Sequence, residues 1–449
     1  MTAADIEGLR AKVRDLLLSN VSEGHSKLLG EPYCYIQPSR DTYPYQFWWD
    51  TCFHVFMLCR LGEHQLARDN LRSLFTMQED NGFVGHMIFW KQSLPSHMAD
   101  VLQARPSLRA IRPHMSALIQ PPLVAQALER LYQCSDDGAF LAEFLPKLIR
   151  YFEWLGRERD REGTGLLTTI SPFESGLDFK PSYDTLLGYP HGPASRKLLW
   201  KAANVDFGNF RRRYDLQKIF RARRFLVKDV LVNVLYACDL AALARLCALA
   251  GFEALGRDYA LRAARSQAAI LDKMYDSRAK AFFDLGPDDE PVPVRTFTLF
   301  APLMLPSLPR HIADDLVGRH FNDCRAFALP FPIPSVAADD AAFRPGESGR
   351  YLWRGPTWAA ANWCLWQGLH RHGYEPEAAN LTKSLGELVE LSGFREYYDP
   401  LTGTGHGAKG FTWSGLVVDM VEGLPAGSAE APTLSGRERL HHEAAGGRA

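Results

Sequence analysis

Two kinds of helical pattern alternate along this chain, and few folds accommodate both. "VLVNVLYACDLAALARLCALAG" (230–251) is apolar nearly all round, whereas "YALRAARSQAAILDKMY" (259–275) carries one apolar stripe and one charged face. A helix apolar on every side must be enclosed by protein, while a striped one can face water. A ring of inner helices inside a ring of outer ones satisfies both demands repeatedly, so the alternation predicts an all-α (α/α)6 toroid. The rival is an α-solenoid of stacked helix pairs. That fold requires a repeat of about 34 to 47 residues, and none is visible.

Helical periodicity recurs near 5–20, 48–61, 63–78, 121–133, 139–158, 229–250, 253–275, 309–321, 356–372, 375–392 and 413–423, with little strand alternation. Pro121 and Pro122 suit a first helical turn, Gly251 and Gly373 suit C-terminal caps, and Pro356 opens an apolar stretch. Two long segments, 79–120 and 159–228, interrupt the helices and are rich in Pro, Gly, His and aromatics. Long ordered connections of this kind usually carry function. Residues 1–424 therefore read as one toroidal domain with two loop insertions, and the polar, small-residue stretch 425–449 as a disordered tail.

A formal net charge of −1 removes the electrostatic case for a dedicated nucleic-acid binder. The N-terminal "MTAADIEGLRAKVRDLLLSN" reads as an amphipathic helix with early acids, not as a signal peptide. No uninterrupted apolar run approaches the roughly 18 to 20 residues of a membrane helix. The eight cysteines form no CxxC pair, and most lie in apolar helical stretches, where free thiols behave as small hydrophobes. A cytoplasmic protein with no membrane partner is expected, and a homo-oligomer is compatible with all of this.

Four segments have the composition of a site: "YPYQFWWDTCFH" (43–54), "NGFVGHMIFW" (81–90), "SPFESGLDFKPSYD" (171–184) and "FREYYDPLTGTGHGAKGFTWSG" (394–415). Aromatics beside acids suit sugars, whose C–H faces stack on rings while their hydroxyls seek charged acceptors. Glycosidic cleavage needs two carboxyls flanking the bond. Each acid also has a plainer reading. Asp50 before an apolar helix is equally an N-cap, Glu174 and Asp178 can flank a turn around Gly176, and Asp399 in "YYDPLTG" is most simply a turn residue. His86 alone reads first as a structural histidine.

Other chemistries fit less well. "GTGHGAKG" lacks the G-K-[ST] ending of a phosphate loop, because Gly410 follows Lys409. No HExxH motif or Cys/His cluster offers metal-ligand spacing, and "LHHEA" (440–444) falls in the expected tail. A GxSxG elbow is also missing. The expectation is an enzyme with no cofactor and no metal, acting on a small carbohydrate.

"YPYQFWWDTCFH", "NGFVGHMIFW", "IQPPLVAQAL", "ISPFESGLD", "VKDVLVNVLY", "YLWRGPTWAAANWCLWQGL" and "FREYYDPLTGTG", in that order from about residue 33 to 420, resemble the bacterial branch of glycoside hydrolase family 63, especially mannosylglycerate and glucosylglycerate hydrolases. The resemblance implies an (α/α)6 catalytic domain and inverting hydrolysis of an α-linked glucoside or mannoside. It places the general acid on Asp178, the aspartate of E-S-G-x-D, and the general base on Glu396, before Y-x-P or Y-D-P. It assigns Asp50 to sugar hydroxyls, and Tyr43, Trp49, His86, Gln120, Gly176 and Trp358 to the other pocket motifs. The chain departs from the family at Phe47 and Phe173, where tryptophan is common, and at "DFKP" (178–181), where D-N-S-P is common.

The basic run "FRRRYDLQKIFRARRF" (210–225) corresponds, by the same resemblance, to the acceptor side of the pocket. One of Arg211, Arg212 and Arg213, with Arg212 carried forward as the candidate, is expected to pair with an anionic aglycone such as glycerate. A solvated helix face is the plainer reading of such a run. Alternatives of other classes stay open: a phosphorylase or epimerase on the same fold, or an inactive carbohydrate-binding homologue. An intact Glu396 counts against the phosphorylase, and a lone His86 against the epimerase.

Overall fold

The computed structural model describes residues 3–26, 30–90, 102–103, 114–346 and 352–423. The expected tail and parts of the 79–120 segment lie outside these residues. The inner ring is built from Trp48–Leu61, Val124–Ser135, Val230–Leu249, Phe297–Met304, Ala359–Arg371, and Thr412–Leu416 running on into Val417–Glu422. Each packs against the next in chain order, and the last returns to pack against Trp48–Leu61, which closes the ring. Between them in sequence come the outer helices Ala3–Ser19, His64–Thr76, Gly138–Arg159, Glu253–Lys273, Arg310–Asp315 with its continuation to Phe321, and Glu375–Ser392.

Burial follows the two patterns seen in the sequence. Val230–Leu249 is enclosed along most of its length, whereas Glu253–Lys273 buries only one stripe that includes Gly256, Tyr259, Ala263 and Ile270. Val230–Leu249 is long and apolar enough to cross a membrane by composition alone, but most of it is buried inside the ring. Polar contacts register the inner helices as well. The Asp419 carboxylate accepts from Arg60 Nε at 2.6 Å, Arg130 Nη1 at 3.0 Å and Trp363 Nε1 at 2.8 Å, so one buried acid ties four inner helices together. A buried charge is tolerable only when paired and hydrogen-bonded in this way.

Three expectations need correction. The 159–228 segment is not free of helix, since it contains Arg196–Arg211 and Leu216–Ala222. Pro121 and Pro122 precede the helix instead of opening it, because Leu123 is its N-cap. Phe297–Met304 was not expected at all. It is a buried 3-10 helix interrupted by Pro302, and an apolar stretch this short has no stripe to reveal a period. All eight cysteines are free.

Candidate active site

The loops that lead into the inner helices converge on a cavity of about 250 Å³. Tyr43, Phe47, Trp49, Asp50, His86, Gln120, Phe173, Gly176, Asp178, Trp358 and Glu396 all line it. These residues come from separate stretches of chain. Two short antiparallel ladders help to gather them: Gln46–Phe47 against Met87–Ile88, next to His86, and Arg395–Tyr398, the strand that carries Glu396, against Gly405–Lys409.

Glu396 is held at both oxygens. Tyr43 Oη donates to Oε1 at 2.7 Å and the Ala408 backbone N–H to Oε2 at 2.8 Å. The opposite strand reaches it at Gly407, where φ is +65° and a Cβ would lie 2.4 Å from Oε2, so glycine is required there. Burial pushes the Glu396 pKa above its ordinary value, and the Ala408 and Tyr43 hydrogen bonds pull it back toward the ionised form.

Asp178 has a different environment. It is half-buried and lines the cavity, and no hydrogen bond from the described residues reaches its carboxyl. Burial, then the negative charges of Glu396 and Asp206, raise its pKa to about 7. One carboxyl is thus biased toward holding its proton, and the other is provided with donors for its anion. Environments that push two carboxyls apart in this way are the usual basis of an acid and base pair.

Asp50 is not the N-cap of its helix, a position that Phe47 occupies without a side-chain bond. Its Oδ1 accepts from Trp413 Nε1 at 2.7 Å, and burial raises its pKa to about 7. The Gln120 side-chain oxygen accepts the Trp49 N–H at 3.1 Å. His86 Nδ1 lies 2.6 Å from Ser116 Oγ, and burial lowers its pKa to about 3, so the ring is neutral. Trp358 stacks on Trp353 with ring centres 4.2 Å apart. Gly176, at φ +69°, lets Trp49 approach to where a Cβ would stand 2.4 Å from the indole.

The remaining acids of these stretches also find their places. Glu174 is fully buried and makes a bidentate pair with Arg159 at 2.8 and 2.6 Å, while accepting the Ile119 and Ile170 N–H groups. It ties the Asp178 loop to the Gln120 loop and does more than flank a turn. Asp399 accepts from Leu401 N–H and Thr402 N–H, which is the turn role expected of it.

Arg212 is the exception among the candidates, because it is not among the cavity-lining residues. Its Nη1 donates to the Gly208 carbonyl at 2.7 Å, satisfying the end of helix Arg196–Arg211, and Arg211 lies over the Phe207 ring. The run spans the end of one helix and the whole of the next, Leu216–Ala222, and among its charges Arg212 meets a carbonyl, Arg211 a ring, Lys218 the Asp215 carboxylate and Arg223 the Asp288 carboxylate. Among the described lining residues there is no lysine or arginine. Reasoning from sequence also missed Tyr45, Gln103, Trp353, Phe411 and Trp413 as lining residues. Trp353 and Trp413 lie in stretches already conspicuous for tryptophan, so that signal was available. No group of three or more His, Cys, Asp or Glu suited to a metal occurs among the described residues.

A family model described as the mannosylglycerate hydrolase MGH1-like glycoside hydrolase domain matches residues 43–414. The mannosylglycerate hydrolase of Thermus thermophilus is 32% identical over 407 residues, covering 84% of this chain and 94% of that relative. The glucosylglycerate hydrolase of Mycolicibacterium hassiacum is 26% identical over 424 residues, covering 84% and 91%. A solved GH63 mannosylglycerate hydrolase, also from Thermus thermophilus and in complex with Tris and D-glycerate, superposes with a TM-score of 0.80 at 28% identity, covering 92% of this chain and all of that one.

Proposed function

This chain belongs to the mannosylglycerate hydrolase MGH1-like glycoside hydrolase family, a branch of family 63, and from that premise we propose that it hydrolyses an α-glycoside of glycerate by single displacement with inversion. The observation that carries the reading is the unequal pair Asp178 and Glu396 on one aromatic-walled cavity. Asp178, protonated below about pH 7, gives its proton to the glycosidic oxygen as the bond breaks. Glu396, its anion supported by Tyr43 and Ala408, takes a proton from the water that attacks the anomeric carbon from the opposite face. Direct attack by water calls for carboxyls roughly 6.5 to 9.5 Å apart, and retention for a closer pair.

Asp50 and Trp413 are assigned to the sugar ring. A carboxylate fixed by an indole N–H keeps its other oxygen for sugar hydroxyls, and the stacked Trp353 and Trp358 offer faces for C–H groups. Neutral His86 is placed as a hydrogen-bonding wall, not as an acid or base.

The glycerate assignment comes from the relatives. It is tested by a panel of mannosylglycerate, glucosylglycerate and neutral glucosylglycerol, with released sugar and glycerate quantified. Turnover of one or both acids well above the neutral glycoside supports the reading. Equal rates on acid and neutral substrates would leave a general small-glycoside hydrolase.

A further inference from the structure

The Asp178 carboxyl has no hydrogen bond from the described residues, so its aim depends on its own backbone. The residue after it, Phe179, sits at φ +62°, a conformation that a bulky side chain keeps only when its surroundings impose it. Among the described residues, a buried guanidinium holds the carbonyl of Phe179. Arg354 Nη1 donates to the Phe179 carbonyl at 3.0 Å, and the same guanidinium forks onto Asp184 at 3.0 and 2.7 Å and reaches the Gly192 carbonyl. Arg354 is 1% exposed, and it follows directly on Leu352 and Trp353, which line the cavity.

We infer that Arg354 is a positioning residue for the general acid: through the Phe179 carbonyl it fixes the direction of the Asp178 carboxyl and couples it to the Trp353 wall. The inference rests on the assignment of Asp178 as the acid. Arg354 itself is not among the residues that line the cavity. Its bond to a carbonyl next to the acid is what separates this role from that of an ordinary buried ion pair. The planar fork suits four acceptors arranged around one buried point, which a lysine ammonium would meet only in part.

A purely structural arginine and a positioning one are separated by leaving-group dependence. A glycerate leaving group needs protonation, whereas 2,4-dinitrophenolate departs without it. The enzyme, Asp178→Asn, Arg354→Lys, Asp184→Asn and the double variant Arg354→Ala with Asp184→Asn are assayed on the glycerate glycoside and on the 2,4-dinitrophenyl α-glycoside of the same sugar. The double variant avoids stranding a buried carboxylate, and circular dichroism checks that each variant is folded.

For the Arg354 variants kcat on the glycerate glycoside should fall by about a hundredfold, as expected for a misaimed catalytic group, with KM much less affected and the dinitrophenyl rate nearly retained. Asp184→Asn alone, which keeps the Arg354 bond to Phe179, should preserve the wild-type ratio of the two rates. Equal losses on both substrates in the Arg354 variants would reduce the arginine to a structural ion pair and overturn the inference. If Asp178→Asn itself shows no leaving-group dependence, the assignment of the acid fails first, and that outcome is distinguishable from failure of Arg354 alone.

Discussion

Tyr43 Oη donates a 2.7 Å hydrogen bond to Glu396 Oε1 across 353 residues of chain, joining the loop before the first inner helix to the strand before the last. The bond favours the Glu396 anion. Tyr43→Phe should therefore raise the Glu396 pKa, move the acid limb of the kcat/KM profile to higher pH and lower the rate at acidic pH. A profile superimposable on the wild type would remove Tyr43 from this role.

The pH dependence of the wild-type enzyme follows from the same pair. Glu396 must be ionised, so activity falls as pH drops through its raised pKa. Asp178 must be protonated, so activity falls as pH rises through about 7. A bell with its alkaline limb near neutrality is expected in kcat/KM, and activity still rising above about pH 9 would contradict the protonated state assigned to Asp178.

Asp178→Asn and Glu396→Gln should each lower turnover on a glycerate glycoside by about 10²-fold to 10⁴-fold or more, with the fold intact. Asp399→Asn, a turn substitution remote from proton transfer, should stay within about tenfold of the wild type in the same assay.

Removing one partner of the buried Arg159–Glu174 pair leaves an uncompensated charge where both side chains have no exposure. Glu174→Ala should cost about 3–5 kcal/mol of stability, measured by urea unfolding. Loss of less than about 1 kcal/mol would mean that water reaches Arg159 and that the clamp between the Asp178 and Gln120 loops is weak.

Arg212 donates to Gly208 and lies off the cavity, so Arg212→Ala should change kcat/KM on the glycerate glycoside by no more than about twofold. A loss of about tenfold or more that disappears on a neutral aglycone would restore the arginine to substrate binding.

Much of this organisation was legible in the chain. The inner helix Val230–Leu249 and its outer neighbour Glu253–Lys273 differ in the number of apolar faces, and that difference reports directly which layer each occupies. Phe297–Met304 escaped because eight apolar residues around Pro302 have no periodicity to read. At the site, acids among aromatics offered Asp50, Glu174, Asp178, Glu396 and Asp399 alike, and it is the resemblance to family 63 that singles out Asp178 and Glu396. Charge density and the resemblance drew attention to Arg212, but the identity of a residue does not say whether a nearby carbonyl already takes up its donors. The supports of the acid were invisible for a related reason: Arg354 meets Phe179 only through a fold that brings together positions 175 residues apart.

The stereochemistry of the first product tests the central claim most directly. Proton NMR of an α-linked glycerate glycoside, followed from the first seconds of hydrolysis, should show the β-anomer of the free sugar before mutarotation supplies the α form, because water guided by Glu396 attacks from the face opposite the leaving group. Initial release of the α-anomer would require a covalent intermediate and would contradict Glu396 as a general base.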